Sequence, residues 1–447
     1  RGPGSADARI RSRVILAVAA FLLVGGRAIA LASSAGELTG VAAGQQQSTH
    51  TLPAHRGAIY DRDGKELAVG EQRQTVYATP YLVDDPYAVA GDLCRVLKIR
   101  ERSRQRRIVK ALSDARSGFT FIARKVDPDK AARAVGLGIP GVGSYAEEKR
   151  VYPLKGVAAQ VIGYAGLDNV GLAGIEQHYE SALRGTDGSE TVVCDTEGRI
   201  IKVLEKEQPV PGTSLRLTLD ADIQYEAEQV LRRTVTGFSA KAGAAVVLDP
   251  RTGEVLAMAN YPLVEGHVFG IEQQYERNRA VTDTYEPGSI FKAVTISGAL
   301  SDDLTAPRAT YRLAPTIEVA DREIHEAHAR GSVTYTTCDI LVHSSNVGAV
   351  TIGMDMGKKR LLKWVDEFGF GEPTGVDFPG EVGGIVPREW SGSTIGNLPL
   401  GQGIAVTPLQ MAAAFGVLAN RVVWVQPHLV AQVGTNDAPR PKRRRVV

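Results

Sequence analysis

Three segments of this chain share one design: a β run, a tight turn carrying glycine, and a second β run. They are Gly57-Ala-Ile-Tyr-Asp61 through Gly64 to Leu67-Ala-Val69, Glu190-Thr-Val-Val-Cys194 through Gly198 to Ile200-Ile-Lys-Val203, and Ala244-Ala-Val-Val-Leu248 through Gly253 to Val255-Leu-Ala-Met258. Each turn puts Gly where a positive φ is needed, beside Asp61 and Asp63, Asp195, or Asp249-Pro250. The pattern predicts three β-hairpins, and their irregular spacing excludes a repeat array. Helical signals follow. Asp220 or Asp222 caps a helix with Ile223, Ala227, Val230 and Leu231 on one face, just after a strand over Leu215-Arg-Leu-Thr-Leu219. Leu361, Val365 and Phe368 form another apolar stripe that Gly369 stops, and Thr407-Pro408 opens a helix running to about Asn420. Glu205 to Gly212, polar and broken by two prolines, reads as a linker. The chain is therefore α+β, and 447 residues suit two or three folded units.

Charge and cysteine usage narrow the function classes. With 52 basic and 50 acidic side chains the net charge is +2, which gives no reason to expect a polyanion-binding protein. Residues 92–116 are locally basic, with Arg95, Lys98, Arg100, Arg102, Arg104, Arg106, Arg107 and Lys110. They read as the solvated face of a helix pair whose inner side is Leu93, Val96, Leu97, Ile108, Val109 and Leu112, and no nucleic acid partner is expected. Cys94, Cys194 and Cys338 are odd in number and lack zinc or redox spacing. His325-Glu-Ala-His328 places its histidines three apart rather than four and reads as a structured loop, so neither metal nor cofactor is expected.

The N-terminal segment points to export. Arg9, Arg11 and Arg13 precede an apolar run from Val14 to Gly26; Arg27 interrupts it and Ala28 to Ala32 continue it. The uninterrupted run is short of the ~20 residues of a membrane span, but with Arg27 snorkelling at the interface Val14 to Ala32 suffices. One reading is a signal anchor over 14–32, with 1–13 as a cytoplasmic basic segment. The other is a cleaved signal peptide, since Ala30-Leu31-Ala32 has the small-x-small pattern of a cleavage site. Either reading places everything after about residue 33 outside the cytoplasm.

The sharpest chemical feature is Tyr285-Glu-Pro-Gly-Ser289-Ile-Phe-Lys292. Pro287-Gly288 breaks the chain, and Phe291, Val294, Thr295 and Ile296 predict a helix starting at Ser289. Residues three apart share a helix face, so Lys292 reaches the Ser289 hydroxyl. A neutral lysine, favoured by burial and by the positive end of the helix dipole, can take the serine proton. An ordinary N-capped helix with an exposed lysine is the alternative. About 50 residues on, His343-Ser344-Ser345-Asn346-Val347-Gly348 supplies a second hydroxyl and an amide. Ser344 could relay a proton to a leaving amine and Asn346 could hold a substrate carbonyl, although a polar helix cap reads equally well from these residues alone.

Ser289-x-x-Lys292 followed by Ser344-x-Asn346 resembles the first two motifs of penicillin-binding proteins and serine β-lactamases. Arg56-Gly-Ala-Ile-Tyr-Asp-Arg-Asp-Gly64, Tyr152-Pro, Ala158-Ala-Gln-Val-Ile-Gly-Tyr-Ala-Gly166 and Gly171-Leu-Ala-Gly-Ile-Glu176 resemble the N-terminal module of the class B penicillin-binding proteins. Leu400-Gly-Gln-Gly403 through Thr407-Pro-Leu-Gln410 is similar to the segment before the third motif of that class. The resemblance covers nearly the whole chain. It implies a single-pass protein of the inner (cytoplasmic) membrane with most of its mass extracytoplasmic. After the anchor would come a β-rich pedestal, a dimerisation-like module over 33–208, and then an α/β transpeptidase domain over 209–447.

The implied activity is D,D-transpeptidation, cross-linking peptidoglycan stem peptides in division or elongation, with acylation by β-lactams. Ser289 would be the nucleophile, Lys292 its general base, Ser344 the proton relay and Asn346 a substrate-binding amide, with the Ser289 N–H as half of an oxyanion hole. The implied partners are a polytopic membrane glycosyltransferase and other wall-synthesis proteins. One departure stands out. The third motif, Lys-Ser/Thr-Gly, is absent from these residues, so the chain reads as truncated, the transpeptidase domain as incomplete, and the segment as weakly active or inactive by itself. Arg440-Pro-Lys-Arg-Arg-Arg445 reads as an exposed loop. Lost central strands would leave unpaired sheet edges, so low stability or aggregation is expected. Two other readings are a non-catalytic scaffold of the wall-synthesis machinery and a membrane-bound β-lactam sensor.

Overall fold

All three predicted hairpins form in the computed structural model, which describes residues 16–27, 47–194, 200–264 and 277–446. In the first, Ile59–Tyr60 pairs antiparallel with Glu66–Ala78, and Gly64 turns at φ 89°. Asp61 closes that turn by accepting the Asp63 and Lys65 N–H groups at 2.9 and 2.8 Å. In the third, Gly243–Leu248 pairs with Val255–Tyr261 around Gly253 at φ 82°. The second is built from Gly188–Cys194 and Ile200–Glu207, and its turn lies outside the described residues. Here the linker expected from Glu205 is strand through Glu207, because Glu205 and Lys206 pair with Thr191 and Glu190.

Contacts divide the chain into two units. One comprises residues up to Ala54 together with Thr186–Val210. Its sheet has three antiparallel strands in the order Gln47–Leu52, Gly188–Cys194, Ile200–Glu207. Of the predicted anchor 14–32, residues 16–27 are described and helical; the basic segment 1–13 lies outside the described residues. Among the described residues no helix is long and apolar enough to cross a membrane.

The other unit holds His55–Gly185 and everything from Pro211 onward. A sheet runs through it in the order Asn436–Asp437, Val430–Val433, Leu215–Leu217, Ile59–Tyr60, Glu66–Ala78, Thr120–Val126, and Val142–Val151 also pairs along Glu66–Ala78. Ile59–Tyr60 and Leu215–Leu217 are parallel, and Val430–Val433 closes on Leu215–Leu217 antiparallel. One core is correspondingly shared by distant parts of the sequence: Ile59, Leu67, Val161, Ile175 and Leu183 pack with Leu215, Val255, Met258, Leu409 and Val430. The basic region forms helices Pro86–Val96 and Arg102–Leu112, with Leu93, Leu97, Ile108 and Leu112 buried and the arginines outward.

The N-terminal motifs meet around a buried ion cluster. Arg56 donates from Nε to Glu176 at 2.7 Å and from Nη1 to Glu180 at 2.6 Å. Arg150 donates to the other Glu176 oxygen at 2.6 Å and to the Gly57 carbonyl at 2.8 Å. The Tyr152 hydroxyl adds a longer bond to Glu176 at 3.3 Å. The Arg56, Arg150 and Glu176 side chains are at most 2% exposed. A buried carboxylate is tolerable because two guanidinium groups neutralise it and fill its lone pairs.

Two readings of the C-terminal half are corrected. Helix Ala221–Gly237 is capped by Asp220 as expected, but it buries Gln224 and Glu228, while Ile223 and Val230 stay exposed. The physical reason is hydrogen bonding. Gln224 accepts the Met258 N–H at 2.7 Å and donates to Glu228 at 2.7 Å, and Glu228 accepts the Ala158 N–H at 2.9 Å. The apolar stripe instead faces an open groove shared with Ala245 and Val247. The terminal basic run is also not all loop: Arg443–Arg445 pairs antiparallel with Val423–Val425. Arg444 lies over the Trp424 ring at 5.1 Å and reaches Glu367 at 3.4 Å, which gives this residue of the run an aromatic face and a counter-charge.

Candidate active site

Ser289 sits on a short 3-10 turn, Gly288–Phe291, and the α-helix begins at Lys292 and runs to Ser301. The sequence places the helix start at Ser289. The tighter turn arises because Gly288 takes φ 59° and its N–H bonds the Gly401 carbonyl at 2.9 Å. Phe291, fully buried, pins the turn against Phe370 with ring centroids 5.4 Å apart. Ser289 remains exposed while Lys292 is buried.

The segment before Ser289 is tied to the Leu400–Gly403 segment. Tyr285 and Val406 exchange both backbone hydrogen bonds, and Glu286 accepts the Gly403 N–H at 2.7 Å. At Gly401, φ is 74° and a Cβ would lie 2.3 Å from the Gly288 carbonyl oxygen, so the close approach needs glycine.

Ser344 and Asn346 arrive between two helices. Helix Thr337–Val342 opens on a Thr336–Asp339 capping box. The chain then reverses through Ser344 at φ 53°, and Ser345 caps helix Asn346–Glu367 by accepting the Gly348 N–H at 3.0 Å. Its second half carries Leu361 and Val365, fully buried, after a break at Gly357.

Four of the residues singled out by sequence converge. The Lys292 Nζ lies 3.2 Å from Ser289 Oγ, 3.1 Å from Ser344 Oγ, 2.6 Å from the Ser344 carbonyl and 2.7 Å from Asn346 Oδ1. A neutral amine has two N–H donors and one lone pair. The two shortest contacts, to pure acceptors, use the donors, which leaves the lone pair for a hydroxyl proton. Burial pulls the Lys292 pKa down to about 8, with Glu326 opposing by favouring the charged form.

Sequence reasoning missed Glu326. It accepts the Ser345 hydroxyl at 2.6 Å and the Asn346 N–H at 2.7 Å, and it pairs with Arg330. The neighbouring His325 carbonyl accepts the Asn346 side-chain N–H at 2.8 Å. Burial would raise the Glu326 carboxyl, but the hydrogen bonds from Ser345 and Asn346 and the Arg330 guanidinium hold it below its ordinary range. The signal available in sequence was a carboxylate between the two histidines read as a loop, but nothing local says which backbone it meets.

Comparison with known proteins matches residues 51–217 to the penicillin-binding protein dimerisation domain and residues 243–447 to the penicillin-binding protein transpeptidase domain. The chain belongs to the penicillin-binding protein family, as a dimerisation module followed by a transpeptidase module. It is 34% identical to penicillin-binding protein PbpB of Mycobacterium tuberculosis over 93% of this chain and 65% of that one. It is 30% identical to peptidoglycan D,D-transpeptidase FtsI of Escherichia coli over 87% of this chain and 66% of the relative. The crystal structure of penicillin-binding protein 3 from Mycobacterium tuberculosis, complexed with aztreonam, superposes with a TM-score of 0.67 at 29% identity, covering 89% of this chain and 72% of that one. The chain thus spans about two thirds of the length of these curated relatives.

Proposed function

We propose that this chain is the greater part of a peptidoglycan D,D-transpeptidase that works through a serine acyl-enzyme. The observation that carries the reading is the Lys292 Nζ between the Ser289 and Ser344 hydroxyls, at 3.2 and 3.1 Å, in a buried setting that favours its neutral form. In this reading Ser289 Oγ attacks a stem-peptide carbonyl and Lys292 takes its proton. A Ser289 ester forms as the C–N bond breaks, and the proton passes through Ser344 to the leaving amine. The amine of a second stem peptide then attacks the ester, forming the cross-link and returning Ser289 to its free hydroxyl. Asn346 would hold the substrate backbone, and a β-lactam would acylate Ser289 in place of the peptide.

The same reading takes residues 14–32 as a signal anchor in the cytoplasmic membrane, 33–208 as the pedestal and 209–447 as the larger part of the catalytic domain. Its partners would be nascent peptidoglycan, a polytopic glycosyltransferase and other wall-synthesis proteins. The activity is assigned to the full-length protein, because these residues span about two thirds of the length of the curated relatives. The test is covalent labelling of the full-length protein by a fluorescent penicillin. Labelling is expected, and Ser289→Ala should abolish it. A labelled Ser289→Ala protein would overturn the nucleophile assignment, and an unlabelled full-length protein would overturn the activity.

A further inference from the structure

The turn that delivers Ser344 and Asn346 to Lys292 is not self-supporting. Ser344 lies in the left-handed region, which a serine occupies at a cost, and it joins two helices whose facing ends need partners. Those partners come from the loop at His325–Arg330. The Glu326 side chain is 7% exposed and the Arg330 side chain 17%. One Glu326 oxygen takes the Ser345 hydroxyl at 2.6 Å and the other takes the Asn346 N–H at 2.7 Å, so a single carboxylate spans the start of the helix where its dipole is positive. The His325 carbonyl fixes the Asn346 amide with its Nδ2 outward at 2.8 Å, which leaves Oδ1 toward Lys292. Arg330 in turn lies over the Tyr335 ring at 5.5 Å, and Tyr335 stacks on His343 at 4.9 Å. The clamp is therefore tied to the strand and turn on both sides of helix Thr337–Val342.

We infer that Glu326, held by Arg330, is a positioning residue that sets Ser344 and Asn346 around the Lys292 amine. The inference rests on the transpeptidase reading above. Glu326 touches no reacting atom; it acts through the turn and through its charge. Among the described residues, the groups contacting Lys292 (Ser289, Ser344 and Asn346) are uncharged, and Glu326 is the charge that acts on it, with Arg330 behind. His343 is engaged by Tyr335, and His325 has its Nε2 3.8 Å from Glu323. Glu326 thus does two opposed things: it builds the site and it favours the ammonium form of the base.

That opposition gives a test. The acylation rate of the full-length protein by a fluorescent penicillin is measured across pH for wild type, Glu326→Gln, Glu326→Asp and Arg330→Gln, each checked for a cooperative melt. Glu326→Gln keeps the size but cannot accept both bonds. Its rate plateau should fall about tenfold or more, the effect of losing one charge-assisted hydrogen bond, while its midpoint moves to lower pH. Arg330→Gln leaves the carboxylate unneutralised and should move the midpoint to higher pH. Glu326→Asp should restore the direction of the wild-type midpoint with partial recovery of the plateau. A lowered plateau with unmoved midpoints, or variants indistinguishable from wild type, would overturn the inference. No acylation by wild type would overturn the transpeptidase reading with it, whereas normal wild-type kinetics beside unmoved variants would overturn this inference alone. If Glu326→Gln does not fold, the upward midpoint of Arg330→Gln decides.

Discussion

Lys292 is buried, yet its neighbours can be satisfied by a neutral amine. With a pKa near 8, protonation below that value removes the lone pair. Acylation of the full-length protein should therefore rise about tenfold per pH unit on the acid side and level off above about 8. A pH–rate profile by stopped flow checks this, and a rate flat across that range would remove Lys292 as the base. Gly401 offers a second residue-scale test. Gly401→Ala would force a Cβ against the Gly288 carbonyl in a left-handed backbone, and it should slow acylation by displacing the turn under Ser289. An unaltered rate in a folded variant would show that the turn absorbs the change. At this scale the sequence told much about Ser289 and Lys292, because helix periodicity and a Pro-Gly break act over a few residues; Ser344 and Asn346 read equally well as a helix cap locally and stood out only through their resemblance to the second family motif. Glu326 was not, because its role depends on a loop meeting a helix end about 20 residues away.

At the scale of elements, capping chemistry was readable and face assignment was not always so. Thr407 is the N-cap that the Thr-Pro start announced, and with Gln410 it completes a capping box. Thr407→Ala should cost about 1 kcal/mol of stability, measured by denaturant unfolding. Helix Ala221–Gly237 shows where periodicity misleads. Ile223, Ala227, Val230 and Leu231 form a proper apolar stripe, but Gln224 and Glu228 are what the adjoining strand and loop backbone require. Two substitutions separate these faces. Val230→Lys, at a position 50% exposed, should change stability by no more than about 0.5 kcal/mol. Gln224→Leu strands the Met258 N–H and should cost about 1–3 kcal/mol. The reverse ranking in thermal melts would mean that the stripe, not the polar pair, faces the core in solution. Among the described residues, strand Gly243–Leu248 pairs with Val255–Tyr261 in a two-stranded sheet.

At the scale of the molecule, the motifs at Arg56, Tyr152 and Glu176 lie far apart in sequence and are near neighbours in space. Their individual roles could not be read from the chain because each makes sense only with the others. Arg56→Ala would leave Glu176 and Glu180 short of a counter-charge in a buried setting, and a loss of about 3–5 kcal/mol is expected in denaturant unfolding. A loss below about 1 kcal/mol would show that water reaches the cluster. The sheet that crosses this unit has a further consequence, for the order of events during synthesis. Ile59–Tyr60 must find Leu215–Leu217 about 150 residues later, and that strand is flanked on its other edge only when Val430–Val433 has been made. Such distant pairings close slowly and late. That part of the sheet therefore cannot be completed before Val430–Val433 exists, and a ribosome-bound intermediate stalled before Val430 would present an open strand edge for as long as translation is paused.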